Sequence, residues 1–474
     1  MDEKWLKAPW AIQMKRILLL LALLVGQLHA GEKPNILFIF ADDWGWGDLG
    51  CHGHPYIKTP NIDRLAREGT DFRRFTVASG VCSPSRTAVM TGHFPARYHI
   101  DGHFAWVRNN ASRGMPDWLD PEAPLLPRML QRAGYRTAHF GKWHLANDMI
   151  PDSPLPEVYG YDRAWAFNCA GGQLPVHQDA AETIRFIEQT NREGKPFFVN
   201  LWIHEPHTPF HTVPKYEWRF RDLEQEEDRI YASVISHADD RIGEVLQTLD
   251  RLHIADNTLV VFSSDNGPAR AGGTAKLELI YDTATGAGWG IAGSKGVTGG
   301  RRGYKASLFE GGVGVPFIAR WPSKIAAGSV DNTSLISAVD LLPTFCEIAG
   351  AVLPENYTPD GISIVRTLMG EETPKRSKPL FWKFQSTWPP PKARPDHWVS
   401  WAVVHESWKL VVNEDFKHFE LYQITTDVSE SADLAATQPE VAGKLLGMIK
   451  AWKQTLPSEP RGNVFSTERK ELKR

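Results

Sequence analysis

Short, mostly apolar runs recur along the chain: Asn35–Ala41 (NILFIFA), Arg136–Phe140, Phe197–Ile203 (FFVNLWI), Thr258–Phe262 and Pro316–Arg320. The apolar positions in these runs do not alternate with polar ones, as expected of strands buried on both faces. Between them lie stretches with helical spacing: Ile62–Glu68, Leu125–Ala133, Ala180–Asn191 and Ile230–Leu252. The alternation predicts an α/β fold, a large, mostly parallel mixed sheet sandwiched by helices. Farther on, Val399–Val412 and Phe419–Ile424 read as antiparallel strands and Glu440–Leu456 as a helix, which predicts a smaller C-terminal α+β unit. The expected organisation is a catalytic part over residues 31–370 and a C-terminal subdomain over 371–474.

The amino end carries a third pattern. From Met14 the chain reads MKRILLLLALLVGQLHA, a positive patch, an apolar run and a small Ala30. This is the layout of a secretory signal peptide over residues 14–30, too short for a membrane span. Met14 then reads as the start, and the mature chain is expected to be periplasmic or secreted, with no stable membrane insertion after cleavage. No cysteine follows the run, which argues against a lipid anchor.

Ligands of mostly parallel sheets bind beyond the carboxyl ends of the strands, and the polar clusters of this sequence sit there. Asn35–Ala41 runs into Asp42-Asp43, and Thr258–Phe262 into "SSDNG" with Asp265 and Asn266. Three carboxylates and an amide form an oxygen-only set suited to Ca²⁺, with Mg²⁺ as the second choice. Each pair taken alone also fits a turn or a helix cap. Lys142 and His144 follow another strand, His204 and His207 a third, and Lys305 and Glu310 precede Pro316–Arg320. Converging cations bind an oxyanion and histidines move protons, although salt bridges and structural histidines are the plainer reading of each residue.

Composition narrows the field. A net charge of −3 and a pI near 6.6 give no basic excess for nucleic acid. The 18 tryptophans suit sugar-binding clefts as well as a core. Four cysteines without CxxC spacing, Cys51, Cys82, Cys169 and Cys346, indicate neither zinc nor a disulfide scaffold, and leave room for one bridge. A Gly-rich stretch, Pro268–Gly300, reads as a long loop without regular structure lining a cleft, with Tyr281 and Trp289 in it. In "YHIDGHFAWVRNN", His99, His103, Trp106 and Arg108 are candidate sugar contacts, and "STWPPPKARP" interrupts the C-terminal unit.

Cys82, Pro84, Ser85 and Arg86, with Thr91-Gly92 behind them, resemble the signature of the type I sulfatase family within the alkaline phosphatase superfamily. The likeness extends through "YIKTPNIDRLAREG", "GYRTAHFGKWHL", "APLLPRML", "SAVDLLPTFCEIAG" and "WKLVV". Met90, Gly314 and "AVVHESWKLV" depart from the usual pattern. The resemblance implies an alkaline phosphatase-like fold and conversion of Cys82 to formylglycine (3-oxoalanine) by a separate maturation enzyme. It also implies one Ca²⁺ held by Asp42, Asp43, Asp265, Asn266 and residue 82. Arg86 would stabilise the hydrated aldehyde, and Lys142 and Lys305 would neutralise the sulfate. His207, helped by Lys305, would protonate the leaving alcohol, and His144 would deprotonate the second hydroxyl. The implied substrate is a sulfated polysaccharide or oligosaccharide. The rivals are a phosphatase or phosphonate monoester hydrolase of the same superfamily, and a non-catalytic glycan-binding relative.

Overall fold

The computed structural model describes residues 33–270, 279–282, 286–289, 294–371, 376–385 and 395–470. The segment 14–30 and residues 386–394 of the Pro-rich stretch lie outside them. The strands of the main sheet are β1 (Asn35–Ala41), β2 (Thr70–Phe72), β3 (Arg136–Lys142), β4 (Arg163–Phe167), β5 (Phe197–Trp202), β6 (Thr258–Ser264), β7 (Phe317–Arg320) and β8 (Ser329–Asp331). They are ordered β8-β2-β7-β6-β1-β5-β3-β4. The five from β6 to β4 are mutually parallel, and β7 is antiparallel to both neighbours. The mostly parallel mixed sheet is the expected one.

Why β1 is apolar throughout is visible in its packing. Ile36, Phe38 and Phe40 enter one hydrophobic cluster, and Leu37, Ile39 and Ala41 enter the other, on the opposite face. Both faces are covered, so no position is free to be polar until the strand ends at Asp42. β1 is central, between β5 and β6, and Ala41 pairs with Ser264. The carboxyl ends of three neighbouring strands therefore open on one place.

The C-terminal sheet has four antiparallel strands in chain order, Leu380–Lys383, Trp401–His405, Trp408–Val412 and Phe419–Gln423, with helix Pro439–Gln454 against it. The run expected over Val399–Val412 is a hairpin that turns at Glu406, whose φ is +57°. Leu410, Leu421 and Ile449 join the same apolar cluster as Phe38 and Phe40, so this sheet is built onto the main core.

One expectation is corrected and one possibility is closed. The Gly-rich stretch contains an antiparallel ribbon, Leu279–Asp282 paired with Gly286–Trp289; its glycines hid the strand pattern. The side chains of Tyr281 and Trp289 lie outside the described residues. No bridge links the cysteines: all four are free thiols, three of them buried. Among the described residues no helix is long and apolar enough to cross a membrane.

Candidate active site

The site is assembled from strand ends. The Asp265 N–H donates to the Ala41 carbonyl at 3.1 Å, continuing the β1–β6 ladder one step beyond the strands. Asp43 then leaves the sheet at φ +66°, with its N–H donating to Asp265 Oδ1 at 3.2 Å. Asn266 Nδ2 donates to Asp43 Oδ1 at 2.6 Å and to the Gly267 carbonyl at 2.9 Å. Asp42, Asp43, Asp265 and Asn266 are all buried.

Cys82 opens α1 (Cys82–Thr91). Pro84 sits in the first turn, where its missing N–H costs no helical bond, and Gly92 ends the helix at φ +63°. Cys82 Sγ lies 3.5 Å from Asp42 Oδ1 and 3.6 Å from Lys142 Nζ. One turn on, Arg86 makes a fork to Asp265 Oδ2 at 3.0 and 2.7 Å and donates to the Lys142 carbonyl at 3.2 Å. Its guanidinium packs against Trp202 and Phe40, at 4.9 and 5.6 Å from their ring centres. Lys142 pairs with Asp42, and Lys305 with Asp43 at 2.7 Å.

Lys305 arrives from a turn pressed against the rest of the site. Its N–H donates to the Pro268 carbonyl at 2.9 Å, and the Ala306 N–H to the Gly80 carbonyl at 2.6 Å. A Cβ on Gly80 would lie 2.3 Å from the Ser307 carbonyl oxygen, so only glycine fits there.

Electrostatics follow from burying many charges together. Burial pushes the Asp42 carboxyl up, but the charges of His207, Lys142, Arg86 and Lys305 outweigh it and hold Asp42 well below the ordinary range. Burial, with the Asp42 charge, lifts Asp265 to about 7 against the pull of Arg86. Lys305 stays protonated, because Asp43 and its neighbours outweigh desolvation. Burial pushes the Cys82 thiol up to about 12, in spite of Lys142 and Lys305. A thiol held neutral in this way is a poor nucleophile.

The sulfatase family model matches residues 34–351, and a model described as N-sulphoglucosamine sulphohydrolase, C-terminal, matches 302–451. The chain belongs to the sulfatase family. It is a type I sulfatase, a sulfuric ester hydrolase, similar to human N-acetylgalactosamine-6-sulfatase, at 32% identity over 73% of this chain and 67% of that protein. Human arylsulfatase A is 31% identical over 76% of this chain and 72% of its own length. The solved structure of Ps i-CgsB in complex with k-i-k-neocarrahexaose superposes with a TM-score of 0.72 at 26% identity, covering 93% of this chain and 96% of that one.

The two histidines of the sulfatase site face it in different ways. His207 Nδ1 meets the Thr208 carbonyl at 2.5 Å and so carries hydrogen, leaving Nε2 at 3.8 Å from Asp43 Oδ2. His144 Nε2 meets the Phe104 carbonyl at 3.0 Å, while its buried Nδ1 has no hydrogen-bond partner among the described residues. Burial holds both rings well below the ordinary imidazole range.

Asp42, Asp43, Cys82 and His207 offer ligand atoms within 4.8 Å of one another. The buried Oδ1 of Asn266 has no hydrogen-bond partner among the described residues. An orphaned amide oxygen beside converging carboxylates fits a hard divalent cation.

The candidate sugar contacts are scattered. His103 lies near the lysines, and burial and the charges of Arg113, Lys305 and Lys142 push its pKa down to about 3. Its neighbour Phe104 donates its N–H to Ser83 Oγ at 3.0 Å, tying this loop to the start of α1. Trp106 is 54% exposed and Arg108 is exposed. His99 is bound to the Pro457 carbonyl at 3.0 Å, a contact with the C-terminal part. His204 Nε2 meets the Pro209 carbonyl at 3.0 Å, closing its own loop. Trp202 and Phe40, which pack against Arg86, were hidden in sequence because they read as ordinary strand residues.

Proposed function

We propose that this sulfatase removes sulfate from a carbohydrate, with Cys82 converted to formylglycine and one Ca²⁺ held by Asp42, Asp43, Asp265, Asn266 and residue 82. The observation that carries the reading is Cys82 itself. It sits at a helix start, against Asp42 and Lys142, where burial keeps its thiol neutral. When present, the hydrated aldehyde would supply the attacking hydroxyl and the ion would acidify it and orient the sulfate.

The chain's own groups do the rest. Lys142 and Lys305, both against the carboxylates, bind the sulfate oxygens and offset their charge. His207 delivers a proton from Nε2 to the leaving oxygen, with its Nδ1–H anchored on Thr208. The negative charge of an incoming sulfate ester favours proton uptake by this ring. His144 takes a proton at Nδ1, the nitrogen without a partner. Arg86 gives three N–H groups to Asp265 and the Lys142 carbonyl, so it fixes the site's frame. A sulfated sugar as substrate is supported by the names of the relatives, an N-acetylgalactosamine-6-sulfatase and a protein bound to a neocarrahexaose. The apolar segment 14–30 supports export, and the formylglycine-generating enzyme is then the partner that activates the chain.

The test is mass spectrometry of the Cys82 peptide from protein made with and without that enzyme. The aldehyde and hydrolysis of 4-nitrophenyl sulfate should appear together, with little hydrolysis of 4-nitrophenyl phosphate. An active protein whose peptide holds an unmodified thiol would sink the proposal. EDTA should abolish turnover and Ca²⁺ restore it, and sulfate release from defined sulfated oligosaccharides would identify the sugar.

A further inference from the structure

Directly behind His207 lies a buried ion network that the proposed chemistry does not use. Glu205 follows β5, two residues before His207, and its side chain is 0% exposed. Arg241, in the long helix Glu226–Arg251, places Nη2 at 2.5 Å from Glu205 Oε1 and pairs through Nη1 with Asp179, the first residue of helix Asp179–Arg192. His177 Nε2 lies 3.2 Å from the same Glu205 oxygen. His237, one turn before Arg241, stacks on Tyr216 and has its ring centre 4.2 Å from that of His177. An ionised carboxylate this deep is costly unless paired, and Arg241 from the long helix and His177 from the turn before helix Asp179–Arg192 lie against it.

The main chain around Glu205 points the other way, into the site. The Glu205 carbonyl accepts the Asp42 N–H at 3.3 Å, and the His204 carbonyl accepts the His207 N–H at 2.9 Å. Pro206, between Glu205 and His207, has no N–H to anchor. Glu205 is thus the last side chain before His207 that fastens this loop to the body of the protein.

We infer that Glu205 is a positioning residue, ion-paired with Arg241 beside His177, that sets the place of the His207 imidazole. The inference rests on the proposed part of His207 in turnover. A misplacement of about 1 Å at a reacting group costs roughly 100-fold, so loosening this loop should be felt in kcat.

The experiment is a double-mutant cycle on formylglycine-bearing protein, with phenyl sulfate and 4-nitrophenyl sulfate as probes. Glu205→Gln should lower kcat about 30-fold on phenyl sulfate and no more than about threefold on 4-nitrophenyl sulfate, whose leaving group needs no proton. KM should hold within about twofold. In a His207→Ala background the same change should cost less than about twofold, because Glu205 acts through His207. Equal losses with and without His207 would overturn the inference and leave Glu205 a fastener of helices. His207→Ala alone reports separately on the proton-donor reading, which fails if both probes suffer alike. If Glu205→Gln does not fold, Arg241→Lys, which keeps the charge and loses the fork, goes through the same cycle with the same two outcomes.

Discussion

Two lysines meet in the site, and they are held by unlike means. Lys142 is the last residue of β3 and pairs with Phe167 of the neighbouring strand; the Trp143 N–H donates to the Phe167 carbonyl at 3.0 Å. Its place is set by sheet hydrogen bonding within a short span. Lys305 sits in a turn whose flanks are gripped by the C-terminal sheet. Arg302 reaches Asp396 at 2.9 Å, Glu420 at 2.9 Å and Tyr422 at 2.7 Å. Glu310 takes Lys409 at 2.7 Å, and its N–H donates to Glu430 at 2.6 Å. Lys409 and Glu430 are buried and lie 2.9 Å apart. The difference teaches that the C-terminal sheet is part of the active site's support although it supplies none of its reacting groups.

Four changes bear on this contrast. The largest removes what both lysines face: Cys82→Ala should abolish turnover of 4-nitrophenyl sulfate, by about four orders of magnitude or more, with the thermal unfolding profile kept. Next, Lys142→Met and Lys305→Met should each lower kcat/KM by about 100- to 1000-fold if each offsets sulfate charge. A loss confined to one of them would make the pair unequal partners. Lys409→Met tests the remote grip. It leaves the buried Glu430 and the half-buried Glu310 without Lys409 and should destabilise the fold by about 3–5 kcal/mol, read from denaturant unfolding. Its kinetic cost should be several-fold, should vanish in the Lys305→Met background and should persist in the Lys142→Met background. Equal costs in both backgrounds would mean that the grip serves stability alone.

The smallest effect is in pH dependence. Burial pushes Glu430 up from an ordinary 4.5 to about 7, against the pull of Lys409. The folded state therefore holds a proton that the unfolded chain has released between those values, and stability falls as pH rises across that window. Glu430→Gln keeps the shape without the titration. It should flatten the change in Tm between pH 5 and pH 7, an effect on the order of 1–3 kcal/mol. A wild-type Tm that does not fall over this range would place the proton elsewhere.

How much could be read in advance depended on range. β1 was legible to the residue, Asn35–Ala41, because burial on both faces leaves an unbroken apolar run that stops where the site begins. The short strands Thr70–Phe72 and Ser329–Asp331 were not, since three residues carry too little pattern. The carboxylates, the cysteine and the lysines were legible from strand ends and the family signature. Glu205 was not, because nothing beside it in the chain announces Arg241. His99 looked like a surface histidine of a binding loop, yet its partner is a carbonyl 358 positions away.

By itself the sequence determined the longer strands and helices, the side of the sheet on which chemistry gathers, and the residue types available there. These depend on burial and hydrogen bonding among residues a few positions apart. Only the tertiary structure decided which charges meet, such as Lys305 with Asp43, 262 positions apart, and Arg86 with Asp265, 179 apart. Such pairs form when packed elements bring them within reach, and the free energy of a buried charge depends on that final neighbourhood rather than on its place in the chain.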